Sequence, residues 1–165
     1  MGVIEQFQKA KEDFIKREDM QESNEVLNKI TSIVNELAPN FNKLNGGDLS
    51  EYQLKLSGYK FYLADHVSEL MAKSEYLKAH IKDQKAHLWM QIVEEIKEAE
   101  GKVRNKEQVE NALIIQLESV INEQIFYEAE YQKVRFKSMA VDNILTAICQ
   151  RVAELKRQID QSNNT

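Results

Sequence analysis

One proline, five glycines and a single cysteine are spread over 165 residues. Strand-rich folds place Gly and Pro at the turns between short strands, so this scarcity argues against a sheet protein. A lone Cys149 excludes an intrachain disulfide. It sits in Ile148-Cys149-Gln150-Arg151-Val152 and reads as a small, half-buried thiol. Apolar runs never exceed a few residues, which excludes a membrane span. The opening Met-Gly-Val-Ile-Glu-Gln-Phe has neither the apolar core of a signal peptide nor a Ser or Thr at position 6 for myristoylation. The protein therefore reads as cytoplasmic. Gly-rich phosphate loops, nucleophile elbows and metal-spaced Cys/His sets are also missing. No catalytic residue, metal ligand or cofactor is expected, and the chain does not read as an enzyme. His66, His80 and His87 are separated by multiples of seven, but on a helix the last two stand on the order of 10 Å apart, too far to share a metal.

What is plentiful suits helices: 30% charged and 42% apolar residues, arranged at spacings of three and four. This pattern predicts an all-α fold. Val3, Ile4, Phe7, Ala10, Phe14 and Ile15 line one helix. Val26, Leu27, Ile30, Ile33, Val34 and Leu37 line a second, which Ser23 would cap and Pro39 would stop. These two predict an N-terminal helical hairpin over residues 1–44.

Asn45-Gly46-Gly47-Asp48 is the clearest break and the expected domain boundary. Asp48 or Ser50 would cap the next helix, and Ser50-x-x-Gln53 fits a capping box. Residues 49–160 then form two long antiparallel helices, with Gly58 expected to split a short piece from the first near Tyr59. Gly101 ends that helix and Asn105 starts the next. From Leu113 the spacing alternates four and three through Leu117, Val120, Gln124, Tyr127, Tyr131, Val134, Ser138, Val141, Leu145, Ile148, Val152, Leu155 and Ile159. A straight helix drifts off such a repeat, so supercoiled partners are expected: the preceding helix and further subunits. Leu117, Val120, Tyr127, Tyr131, Val134, Val141, Leu145, Ile148, Val152 and Leu155 are the candidate oligomerisation residues. Residues 161–165 read as a disordered tail.

A net charge of −5 does not by itself favour nucleic acid. Within it, however, Lys78, Lys82, Lys85 and Trp89 recur at i, i+4, i+7, i+11 with His87 alongside, a locally basic helical face. Cations neutralise phosphates and an indole stacks on a base, the physics of single-strand binding. The bland alternative is a solvated face with Trp89 between helices. Lys102, Arg104 and Lys106 form a second basic group at the turn. Lys133, Arg135 and Lys137 form a third, of which Lys133 and Lys137 share a face.

Tyr59-Lys60-Phe61-Tyr62-Leu63-Ala64-Asp65-His66 and Lys85-Ala86-His87-Leu88 resemble the Y-x-x-[WY]-L-x-x-H and K-A-R-L segments of the phage recombination mediators typified by UvsY. Ile144-Leu145-Thr146-Ala147-Ile148 with Arg151 resembles that family's last helix. The likeness covers about residues 59–160 and leaves out the N-terminal hairpin. It implies an all-helical closed homo-oligomer, a ring, that binds single-stranded DNA in the host cytoplasm. Such proteins are not enzymes; they help a RecA-like recombinase displace a single-strand-binding protein. Lys85 carries over as a DNA contact, and His87, standing where the family has arginine, only in part. The contrasting expectation is a helical scaffold, adaptor or host-protein inhibitor without nucleic-acid binding.

Overall fold

The computed structural model describes residues 3–163, which form α1 (Val3–Ile15), α2 (Glu18–Leu37), a 3-10 turn (Ala38–Lys43), α3 (Gly46–Glu100), α4 (Lys106–Gln116) and α5 (Glu118–Asn163). No strand occurs among the described residues, so the fold is all-α. None of these helices is long and apolar enough to cross a membrane.

The start of α3 is set by Asn45, whose Oδ1 accepts from the backbone N–H groups of Gly47 at 2.8 Å and Asp48 at 3.0 Å. These satisfy two of the donors a helix N-terminus leaves open. A Cβ at Gly47 would stand 3.1 Å from that same Oδ1, so the cap favours glycine there. Asp48 adds its charge to the first turn, and Ser50 instead donates back to the Gly46 carbonyl oxygen. The capping box at Ser50 does not form. Gly58 does not interrupt α3 either: the glycine penalty of about 1 kcal/mol is absorbed in a long cooperative helix. Gly101, at φ +78°, ends it by donating to the Lys97 carbonyl oxygen. Asn105 caps α4 by accepting from the Gln108 N–H, and Gln108 Oε1 accepts in return from the Arg104 N–H. Leu117, at φ −100° and ψ 9°, separates α4 from α5 in what the spacing predicted as one helix.

Ser23 does not cap α2, which begins at Glu18 behind an extended Arg17. Ser23 lies on the buried face with Met20, Val26, Leu27 and Ile30, because a small residue fits there as well as at a cap. The α2 helix stops before Pro39 as expected. The helix α5 runs through Ser162 to Asn163, where a disordered tail was expected; Asn164 and Thr165 lie outside the described residues. Cys149 is exposed rather than half-buried, since it is one residue off the buried line through Ile148.

The contacts group the chain into two compact units. One comprises Met1–Ile15 and Glu69–Tyr131, the other Lys16–Ser68 and Gln132–Thr165. The two N-terminal helices therefore fall in different units, where a hairpin domain over residues 1–44 was expected. Each is drawn to long-helix residues by its own apolar stripe.

In the second unit, Leu49, Leu56 and Leu63 of α3 are fully buried at seven-residue intervals, and so are Val134, Val141 and Ile148 of α5. Gln53 meets Cys149 and Lys60 pairs with Asp142, so the two helices run antiparallel. The contacts of α2 track the direction of α5: Lys133 Nζ donates to Asn24 Oδ1, and Arg151 donates to the Asn42 carbonyl oxygen beyond the end of α2. Tyr52 hydrogen-bonds Glu36, which raises the phenol pKa, and this ties the end of α2 to the start of α3.

In the first unit, Phe14 of α1 meets Tyr127 edge-on with ring centroids 4.9 Å apart, and Phe7 and Phe14 both lie against Phe126. At the other end of that unit, Ile92, Val109 and Leu113 make a buried cluster.

Truncation separates core from surface on one helix. Leu63→Ala is expected to cost about 2–5 kcal/mol, because it leaves a cavity in a closed seam. Leu54→Ala, at a position 75% exposed, is expected to stay within about 0.5 kcal/mol. Urea denaturation of both variants checks this.

Candidate nucleic-acid interface

All eight basic-face candidates lie in the first unit, but they are not equivalent. Lys78 Nζ is held by Glu75 at 2.8 Å and by Glu128 of α5 at 3.1 Å. These bonds, Glu75 first, raise its pKa. Its charge is already engaged within the chain. Glu128 also accepts from Ser74 Oγ at 2.8 Å, and Ser74 Oγ accepts from Gln124 Nε2 at 3.3 Å. Gln124, a polar break in the heptad line, is thus answered by a buried serine on the facing helix.

Lys82 and Lys102 are exposed and carry no ion pair among the described residues. Arg104 pairs with Glu100 at 3.1 Å and Lys106 with Glu110 at 3.0 Å, both at i, i+4 on the surface. His87 Nδ1 lies 2.9 Å from the Asp83 carbonyl oxygen, so that nitrogen carries the proton and donates.

Trp89 is half-buried and packs against the Ile92, Val109 and Leu113 cluster. The spacing that put Lys78, Lys82, Lys85 and Trp89 on one face continues through Ile92 and Ile96, so the stripe slants from solvent into the core. That continuation was the available signal. Lys85 and Trp89 are brought together with Glu110, Leu113 and Ile114 around a pocket of about 220 Å³. An indole edge beside an ammonium in an open pocket can take a planar group carrying negative charge, with Glu110 partly answered by Lys106.

In the third basic group, which spacing did identify, the exposed apolar side chains were missed. In the other unit, Phe136 is 64% exposed between Arg135 and Lys137, with Met139 53% exposed one turn on. Both cations are exposed and without ion pairs among the described residues. The signal was present in the spacing, since Phe136 lies two positions off the heptad line at Val134.

The candidate oligomerisation residues also have definite places. Leu117 and Tyr127 in the first unit are buried, as are Val134, Val141 and Ile148 in the second. Val120, Tyr131, Leu145, Val152 and Leu155 are half-buried. The chain's own helices bury the first group and leave the second group, and Ile159 at 57% exposure, partly open.

Among the described residues, no His, Cys, Asp and Glu side chains group as metal ligands. His66 is a buried core side chain stacked on Tyr62, and His80 stacks on Tyr76. Comparison with family models, curated proteins and solved structures returns no match.

Two outcomes test this geometry. Ser74→Ala leaves Gln124 and Glu128 each short of a partner at a site 1% exposed and is expected to cost about 1–2 kcal/mol in urea denaturation. Because the folded pKa of Lys78 is raised, its contribution to stability is present below the ordinary lysine value and lost as pH rises through the higher folded value. NMR titration of its Nζ, against Lys78→Met, is expected to show that late deprotonation.

Proposed function

We propose that this protein is a non-catalytic, all-helical binder of single-stranded DNA. In this reading it helps load a RecA-like recombinase onto strands covered by single-strand-binding protein, in the cytoplasm of a host cell. The observation that carries the reading is the pairing of Lys85 with the half-open indole of Trp89 on one pocket, with unpaired Lys82 and Lys102 in the same unit. A base stacks on the indole while its phosphates meet the lysines. On this reading α3 and α5 form a long antiparallel coiled-coil pair and the chain is a homo-oligomer. Copies multiply a weak site through effective concentration. His87 serves as a minor contact.

A second reading is a helical scaffold, adaptor or host-protein inhibitor. It is favoured by Leu54 and Phe61, each 75% exposed at seven-residue spacing on α3.

Fluorescence anisotropy with oligo-dT separates the two readings. If three lysines contact phosphates, affinity is expected to fall about 20-fold between about 50 and 200 mM salt. Lys82→Glu with Lys85→Glu is expected to abolish binding, Lys78→Met to leave it nearly intact, and DNA to quench Trp89. Absence of binding at low salt, with unchanged Trp89 emission, sinks the DNA reading and leaves the adaptor.

A further inference from the structure

The second unit completes its core from its own helices and still leaves two apolar patches open. The first is a groove of about 510 Å³ between α2 and α3, lined by Leu54 and Gly58, by the acids Glu22 and Glu25, and by Lys29 and Lys55, of which Lys55 is held by Glu51 at 2.7 Å. Phe61 lies one turn beyond Gly58 and is 75% exposed. Glu22 and Glu25 are exposed and form no ion pair among the described residues. Gly58 is the informative residue. A glycine inside a helix is disfavoured by about 1 kcal/mol, yet a Cβ there would meet nothing within 4 Å. Nothing among the described residues uses the space it opens.

The second patch is the Arg135–Met139 stretch of α5, none of which lines the groove. It projects Phe136 and Met139 between two unpaired cations. Among the described residues, one patch is a recess whose two free carboxylates outnumber its one unpaired ammonium, Lys29; the other is an apolar projection with two free cations.

We propose that a second copy of this chain seats Phe136 and Met139 in the α2–α3 groove, over Gly58 and between Leu54 and Phe61. Arg135 and Lys137 of one copy then face Glu22 and Glu25 of the other. The two surfaces differ, so the contact is head-to-tail, and each copy offers both a groove and a projection. The inference rests on the proposed homo-oligomer and assigns its interface to surface positions rather than to the heptad line.

The test is the mass in solution by light scattering at about 50 µM protein, where a micromolar contact is largely formed. Wild type is expected above the 19.2 kDa of one chain. Glu22→Lys with Glu25→Lys makes both surfaces basic, and Arg135→Glu with Lys137→Glu makes both acidic; each variant alone is expected at the single-chain mass. Mixing the two variants sets the basic projection of the first against the acidic groove of the second, and the acidic projection of the second against the basic groove of the first, and is expected to restore assembly. Phe136→Asp is expected to dissociate wild type without rescue. All are exposed positions, and helical circular dichroism confirms folding. An assembled wild type whose mass none of these variants changes overturns this interface and leaves the oligomer standing. A single-chain wild type overturns both, while DNA binding through Lys82 and Lys85 is read separately by anisotropy.

Discussion

The seam between α3 and α5 is the constraint on which the second unit depends. Leu49, Leu56 and Leu63 on one helix and Val134, Val141 and Ile148 on the other are all but inaccessible, and α2 closes the third side. A seven-residue spacing on both helices keeps each seam turned toward its partner, which a single helix cannot achieve alone. Once these positions are filled, neighbouring residues on the two helices are sorted by their angle from the seam. Cys149 is one position away and exposed, and Phe136, two positions from Val134, faces solvent.

Polar side chains inside the first unit are arranged under the same rule. Ser74 is 1% exposed and holds both Gln124 and Glu128. A buried hydroxyl without partners would be costly, so the polar group on one helix fixes which residues oppose it on the next. Lys78 is drawn into that arrangement through Glu128. A lysine that looks like part of a surface stripe is committed to the interior edge, and the free cationic face shrinks to Lys82, Lys85 and Lys102.

Most of the fold was legible because its signals are local. Pro39 stopping α2, Gly101 ending α3 and Asn105 capping α4 each depend on residues within one turn. Periodicity showed equally well which face of α5 is buried. It could not show what buries it, and the chain's own helices do so. Gly58 misled because a local propensity cost is small against the cooperativity of a long helix. Ser23 misled because its small side chain fits a crowded helix face, where its hydroxyl is buried without a hydrogen-bond partner among the described residues, as well as a cap. At the candidate site, the partnership of Lys78 with Glu128 spans fifty residues and leaves no local trace. The packing of Trp89 did leave one, in the continuation of its stripe to Ile92 and Ile96.

A chain that closes its core alone separates stability from association. Residues of the seam keep their role without any copy present, and surface positions such as Leu54, Gly58 and Phe136 add little to the single chain. In the proposed contact, a recess with an excess of acid meets two unpaired bases beside an exposed phenyl ring, and a second copy would supply both halves at equal concentration. The proposed DNA site needs such repetition. One indole and three lysines on an acidic protein give little affinity for a strand, whereas the proposed oligomer would offer one strand several such pockets. The proposed assembly draws on residues of the second unit and the proposed DNA site on Lys82, Lys85 and Trp89 of the first, so the two proposals share no residue.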